Sequence, residues 1–234
     1  MKLFPVAILA GGIATRLRPF TDKMPKSLVK LAGDPFIAHQ LRLLKSSGFS
    51  NVVICAWYRG EMIRDYVQEG IQFGLNVTYS FDGDIALGTA GAIRKALPLL
   101  GENFFVLYGD SFLPCDYKAI QSSFESKKKP GLMTIYQNNG KFDSSNVEYL
   151  DGKLISYNKR NQNLGMRHID YGLGVFNRNV FNSLQKNIAI DLEKIYKTLL
   201  QKNELMVYEV NNRFYEIGSK NGLKELDHLL RNRK

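Results

Sequence analysis

Cysteine is scarce. The 234 residues hold two, Cys55 and Cys115, far apart and each in an apolar neighbourhood, which excludes a disulfide framework or thiolate zinc site and fits a reducing, cytoplasmic compartment. Histidine is nearly as rare, and His39, His168 and His228 lack metal-ligand spacing, so all three are expected to be structural. No apolar run approaches the roughly 20 residues of a membrane-spanning helix. The N-terminal run is interrupted by Pro5 and followed at once by Arg16 and Arg18, so it reads as a buried first strand and not a signal peptide. Seven prolines and twenty glycines are too few for a collagen-like or low-complexity chain. No Gly-x-Ser-x-Gly nucleophile elbow occurs. The tyrosines and phenylalanines fall in core patterns and do not interleave with Arg and Lys, so neither a nucleic acid nor a membrane partner is expected.

With 44% hydrophobic and 23% charged residues, the chain has the balance of an ordinary globular protein with a substantial core. Its 32 Lys and Arg against 22 Asp and Glu give a net charge of +10, which favours an anionic partner. The basic residues are scattered, apart from Lys127-Lys128-Lys129 and the tail Arg231-Asn232-Arg233-Lys234, which read as solvated surface.

Apolar runs of strand length alternate with helical periodicity. Strands are expected at 6–10, 52–56, 77–81 and 104–108, and helices at 35–47, around Ile63 to Gly70, and at 89–100. Two-sided apolar strands separated by helices imply a mainly parallel sheet covered on both faces. After residue 130 the pattern changes. Strands are expected at 132–136, 172–176 and 206–210, helices at 191–201 and 219–231, and a hairpin at 147–157 about Asp151-Gly152. No linker or repeat separates the halves, so one domain is expected: a doubly wound half, 1–130, and an embellished half, 131–234.

Three segments carry chemistry. Ala10-Gly11-Gly12-Ile13-Ala14-Thr15-Arg16-Leu17-Arg18-Pro19 follows the first strand, where open α/β sheets bind ligands. Its paired glycines let backbone N–H groups approach a phosphate or base, and Arg16 brings a forked cation suited to phosphate oxygens. It matches neither the dinucleotide fingerprint nor the P-loop. Met24-Pro25-Lys26-Ser27-Leu28 places Lys26 on a constrained loop, and Ala32-Gly33-Asp34-Pro35 follows. In this order and spacing the segments resemble the N-terminal signature of the sugar-1-phosphate nucleotidyltransferases, the family of mannose-1-phosphate and heptose-1-phosphate guanylyltransferases, with similar motifs in N-acetylmuramate-1-phosphate uridylyltransferase.

The resemblance covers nearly the whole chain and implies a Rossmann-like three-layer α/β/α fold with a mixed, mainly parallel central sheet, of the nucleotide-diphospho-sugar transferase type. Leu87-Gly88-Thr89-Ala90-Gly91 is similar to the segment that lies against the base, with its helix start at the phosphates. Tyr108-Gly109-Asp110 resembles the family's Gly-Asp metal site. Tyr157-Asn158-Lys159-Arg160 stands where the family has Glu-Lys-Pro, with the lysine on the sugar phosphate. Tyr171-Gly172-Leu173-Gly174 resembles the strand that faces the sugar, and Glu216-Ile217-Gly218-Ser219 the closing Asp-Ile-Gly-Thr with the second metal ligand.

The implied assignment is therefore Arg16, Lys26 and Asp110 as catalytic residues, with Ala10, Gly11, Gly12, Thr15, Gly88 and Thr89 joining Arg16 and Lys26 on the nucleotide. Asn158, Lys159 and Gly172 take the sugar phosphate, and Asp110 and Glu216 hold Mg²⁺. The activity implied is transfer of a nucleotidyl group, GTP being the best guess for its source, to a sugar 1-phosphate for cell-surface polysaccharide precursors. A uridylyltransferase and a non-catalytic nucleotide-sugar-binding homologue are the alternatives, and a homo-oligomer is compatible with either. The chain departs from the family pattern at Ala14, Asn158 and Glu216, where the family has glycine, glutamate and aspartate.

Overall fold

The computed structural model describes residues 1–13, 17 and 21–232. In chain order the strands are β1 (Val6–Leu9), β2 (Lys30–Leu31), β3 (Asp34–Pro35), β4 (Asn51–Ala56), β5 (Asn76–Phe81), β6 (Asn103–Tyr108), β7 (Ser111–Phe112), β8 (Gly131–Gln137), β9 (Val147–Leu150), β10 (Lys153–Tyr157), β11 (His168–Asn177), β12 (Leu205–Glu209) and β13 (Tyr215–Glu216). The helices are α1 (Phe36–Ser46), α2 (Gly60–Val67), α3 (Gly88–Ala96), α4 (Tyr117–Ser126), α5 (Asn179–Asn182), α6 (Leu192–Gln201) and α7 (Lys220–Arg231). No helix among the described residues is long and apolar enough to cross a membrane.

One mixed sheet runs β5-β4-β1-β6-β11-β8-β12, with the β9–β10 hairpin attached at the start of β11. Its β5-β4-β1-β6 portion is parallel throughout. Beyond β6 the direction reverses: β11 is antiparallel to both β6 and β8, and β12 returns parallel to β8.

The two-residue period of a strand sends alternate side chains to opposite faces, and here both faces are dry. Val6 and Ile8 of β1, Val52 and Ile54 of β4, and Phe105 and Leu107 of β6 enter one core with helices α1, α2 and α4. Ala7, Val53, Cys55, Phe104 and Val106 enter the other with α3, α5 and α6. That alternation makes the three layers. A third cluster, with Leu31, Phe36, Phe112, Ile217 and Leu226, packs α7 across the small β2–β3 and β7–β13 pairs. The C-terminal helix is thereby brought back onto the N-terminal half.

Most expected elements lie within one or two residues of the observed ones. The helix expected to reach residue 100 stops at Ala96 and tightens into a 3-10 turn at 97–99, because Pro98 has no N–H for a further helical bond. The strand expected from 172 starts at His168 instead. Its register on β8 shifts between Asp170 and Gly174, and Gly172 has φ +92, so the irregularity hides the strand's first turn-side residues from a periodicity reading. Helix α4 was not expected, although Asp116 caps it by accepting from Ala119 N and Tyr117, Ile120 and Phe124 line one face. The Asp151-Gly152 turn has φ of 48 and 76, both positive as a type I′ hairpin requires.

Phe105 is fully enclosed, with Phe49 and Tyr117 edge-on at 5.3 and 6.1 Å. Phe105→Ala should lower unfolding free energy by about 3–5 kcal/mol, read as a reduced urea midpoint with an unchanged slope.

Candidate active site

Strand order reverses at β1, which lies between β4 and β6, and a crevice is expected beyond the carboxyl ends at such a point. A cavity of about 350 Å³ occupies it. Its wall brings together Ala10, Gly11, Gly12, Lys26, Gly88, Thr89 and Asp110 from segments up to a hundred residues apart, all of them singled out in the sequence. Ala14, Thr15 and Arg16 lie outside the described residues.

Backbone contact fixes this edge. Leu9 is level with Tyr108 in the β1–β6 register, Gly109 N donates to Leu9 O at 3.1 Å, and Ala10 N donates to Cys55 O at 2.8 Å. A Cβ on Gly109 would stand 2.3 Å from Leu9 O and 2.9 Å from Ala10 Cα. Only glycine lets the two strand ends meet so closely. Gly11 backs onto Trp57, whose Cβ would be 3.3 Å from an added methyl, whereas Gly12 faces open space.

Asp110 leaves β6 at the cavity wall. Its Oδ2 accepts from Lys26 Nζ at 2.7 Å, and its carbonyl accepts from Ile217 N at 2.9 Å. Pairing of β13 with β7 sets Glu216 opposite Ser111, so Asp110 and Glu216, 106 positions apart in sequence, share one corner. An added Cβ on Gly218 would lie within 3.6 Å of Asp110 Oδ2 and 2.5 Å of Glu216 Oε2. Glu216 turns into its own loop: Oε2 accepts from Gly218 N and Oε1 from Ser219 Oγ at 2.7 Å. Ser219 Oγ in turn caps α7 by accepting from Gly222 N. Among the described residues no three His, Cys, Asp or Glu side chains converge as a ready metal cluster.

The expected phosphate role of the α3 start meets a structural competitor. Ala90 N and Gly91 N both donate to Ile190 O, and Ile190 N donates to Leu87 O. Thr89 Oγ1 accepts from Leu192 N at 2.6 Å, capping the first turn of α6. The helix start is thus tied to the 188–192 segment, with these two N–H groups already in use.

Beyond β10, Lys159 Nζ donates to Tyr108 Oη at 3.0 Å and lies 4.5 Å from the centre of that ring. Asn158 builds its own turn, its Oδ1 accepting from Arg160 N and Asn161 N at 3.0 Å. Gly172 sits against Tyr108 and Ser111, where a Cβ would be 3.2 Å from Tyr108 Cδ2 and 3.0 Å from Ser111 Oγ.

The sequence reading missed Trp57, Asp82, Tyr108 and Asp191 on the cavity wall, and the buried Asp170. Trp57 and Asp82 directly follow β4 and β5, so the strand-end rule could have found them. Asp82 is half-buried and accepts from Leu87 N at 2.8 Å; burial raises its carboxyl above the ordinary range, against that bond and Lys95. Cys55 also reaches the wall, but burial, with Asp82 adding to it, pushes its thiol up to about 12, so it offers no nucleophilic thiolate. His39 Nε2 hydrogen-bonds Leu31 O and His168 Nε2 meets Glu209, both framework contacts.

Residues 6–145 match the family model described as nucleotidyl transferase. The chain is 28% identical over 225 residues to N-acetylmuramate alpha-1-phosphate uridylyltransferase of Neisseria meningitidis, covering 95% of this chain and 96% of that protein. It is 27% identical over 216 residues to the mannose-1-phosphate guanylyltransferase catalytic subunit beta of Drosophila pseudoobscura, covering 90% of this chain and 58% of that relative. It therefore spans little more than half the length of the guanylyltransferase. Among solved structures, HddC of Yersinia pseudotuberculosis complexed with GMP-PN superposes with a TM-score of 0.82 at 21% identity, over 97% of this chain and 100% of that one, a likeness of fold.

Gly109→Ala should destabilise the protein by about 1–3 kcal/mol through overpacking against backbone that cannot yield. Gly12→Ala, with open space at its Cβ, should stay within about 0.5 kcal/mol of wild type. Denaturant titration of both variants gives the comparison.

Proposed function

The chain is a sugar-1-phosphate nucleotidyltransferase of the nucleotidyl transferase family, and on that premise we propose that it transfers a guanylyl group from GTP to a sugar 1-phosphate with Mg²⁺, releasing pyrophosphate. The observation that carries this reading is the convergence of Gly11, Gly12, Lys26, Gly88 and Asp110 on one cavity at the strand-order reversal. A cytoplasmic setting and a role in cell-surface polysaccharide precursors belong to the same proposal.

The reaction needs no enzyme nucleophile. A phosphate monoester has its second pKa near 6, so the sugar phosphate arrives ionised and attacks the α-phosphorus as pyrophosphate leaves. The obstacle is bringing two anions into line while charge develops on the leaving group. Lys26, on its constrained loop, and Arg16 are assigned to the triphosphate, and Lys159 to the acceptor phosphate.

The donor set fits magnesium. Asp82, Asp110 and Asp191 line the cavity with Lys26 as their ammonium counterpart among its described residues, a wall that by itself repels a triphosphate. Magnesium takes one or two carboxylates together with substrate phosphates; Asp110 and Glu216, in one corner, would hold it. Bound there, it would neutralise phosphate charge and polarise the α-phosphoryl group. Lys26 already puts an ammonium at Asp110 Oδ2, which marks that oxygen as a place for positive charge.

The choice of guanine is argued from Asp82 on the cavity wall. The base presents two adjacent donor groups, N1–H and N2–H₂, which suit a carboxylate acceptor, whereas uracil presents only N3–H. The uridylyltransferase among the relatives makes uracil the second reading.

A matrix of four nucleoside triphosphates against a panel of sugar 1-phosphates, scored by pyrophosphate release, tests the proposal. GTP should give the highest kcat/KM. A UTP optimum would replace guanylyl by uridylyl transfer, and binding without release for every pair would make the chain a non-catalytic nucleotide-sugar binder. Asp110→Asn and Glu216→Gln should each cut turnover by about 10²-fold or more at low magnesium. Added magnesium should restore part of it, and the double variant should be less than additive because both act through one ion. Wild-type behaviour of Glu216→Gln at every magnesium level would remove it from the metal site.

A further inference from the structure

Asp170 is a carboxylate with a side chain only 2% exposed, placed where β11 loses its register with β8. Burying such a charge is costly unless its oxygens are satisfied, and here they are. Oδ2 accepts from Tyr157 Oη at 2.9 Å and from Tyr108 Oη at 3.3 Å. Oδ1 accepts from Gly172 N at 3.1 Å. Lys159 is the cation paired with it among the described residues, with Nζ 3.7 Å from Oδ2.

These contacts form a chain. Lys159 Nζ donates to Tyr108 Oη, and Tyr108 donates to Asp170. Burial and, after it, the charge of Asp170 raise both tyrosine hydroxyls well above their ordinary range, so they remain protonated donors. Tyr108 also lines the nucleotide cavity. The same residue therefore borders that cavity and carries Lys159 on its ring and hydroxyl. Lysine alone is a poor positioner, a point charge on a flexible four-carbon stem, and the Lys159 side chain is 38% exposed. Something must aim it.

We infer that Asp170, held by Tyr157 and acting through the hydroxyl of Tyr108, is the positioning residue that holds Lys159 against the Tyr108 ring, ready for the acceptor phosphate. The inference rests on the nucleotidyl-transfer reading for the identity of that phosphate, but its physical content is the aiming of one ammonium. Asp170 touches no reacting atom; its effect passes through Lys159.

Three variants test it: Asp170→Asn, Tyr108→Phe and Lys159→Ala, with Asp170→Asn also made in the Lys159→Ala background. Mannose 1-phosphate and GTP serve as substrates where the wild type turns them over, and otherwise the best pair of the panel. Asp170→Asn should raise the KM for the sugar phosphate about tenfold while the KM for GTP stays within about twofold. In the Lys159→Ala background it should add less than about twofold, since the lysine it acts through is gone. Tyr108→Phe, which removes one hydroxyl and keeps the ring, should reproduce the split if Asp170→Asn folds poorly. Equal rises in both KM values, or the full factor retained without Lys159, would make Asp170 merely structural. Calorimetric titration with inorganic phosphate separates this from the reading of function. If no pair is turned over, that reading fails, yet wild type should still bind phosphate more tightly than Asp170→Asn and Lys159→Ala. Equal phosphate binding by all three overturns the positioning role.

Discussion

The close meeting of β1 and β6 at Leu9 and Gly109 governs the rest of the molecule. Two parallel strands end there with backbone against backbone, so the turn after one and the carboxylate after the other emerge side by side. Gly11 and Gly12 follow Leu9 by two and three residues and Asp110 follows Gly109 directly, so their relative placement is set by sheet geometry. Loops positioned this way inherit the rigidity of a core buried on both faces. The third apolar cluster then completes the corner by returning α7 and β13 to β7, which is why the chain's last segment lies against Asp110.

Much of this was legible in the sequence. Two-sided strands such as Val52–Ala56 and Phe104–Tyr108 announce a covered sheet, and residues immediately after such strands fall at its ligand edge. Gly11 and Gly12 were picked out for that reason, whereas Lys26 came from its proline-constrained loop and Gly88, Thr89 and Asp110 from the resemblance of their segments to family motifs. Residues whose role comes from tertiary register were hidden. Asp170 sits in a stretch whose alternation is broken at Gly172, and its partners Tyr108 and Tyr157 looked like core aromatics, because burial of a ring says nothing of where its hydroxyl points. The occupied first turn of α3 was also invisible, since Ile190, which takes its N–H groups, lies a hundred residues away. Asn158 shows the converse: a polar residue in a motif-like position spends its acceptor on its own turn.

Global and local electrostatics differ in sign. The chain carries +10 overall, a field that draws anions toward the surface, while the described cavity wall presents three aspartates to one lysine. Attraction at long range and selectivity at short range are thus assigned to different groups. Among the described lining residues the acidic groups outnumber the basic one, so the local charge of the cavity wall opposes that of the exterior.

The strap at 188–192 has a mechanical consequence. Ile190, in the loop before α6, closes the α3 start and Thr89 of α3 closes the α6 start, so each helix start takes a terminal hydrogen bond from a segment in the other half of the chain. Neither end can fray without exposing unsatisfied groups on its counterpart. The amides of Ala90, Gly91 and Leu192 should therefore exchange with solvent as one cooperative unit, so this part of the cavity wall is coupled to the C-terminal half of the chain.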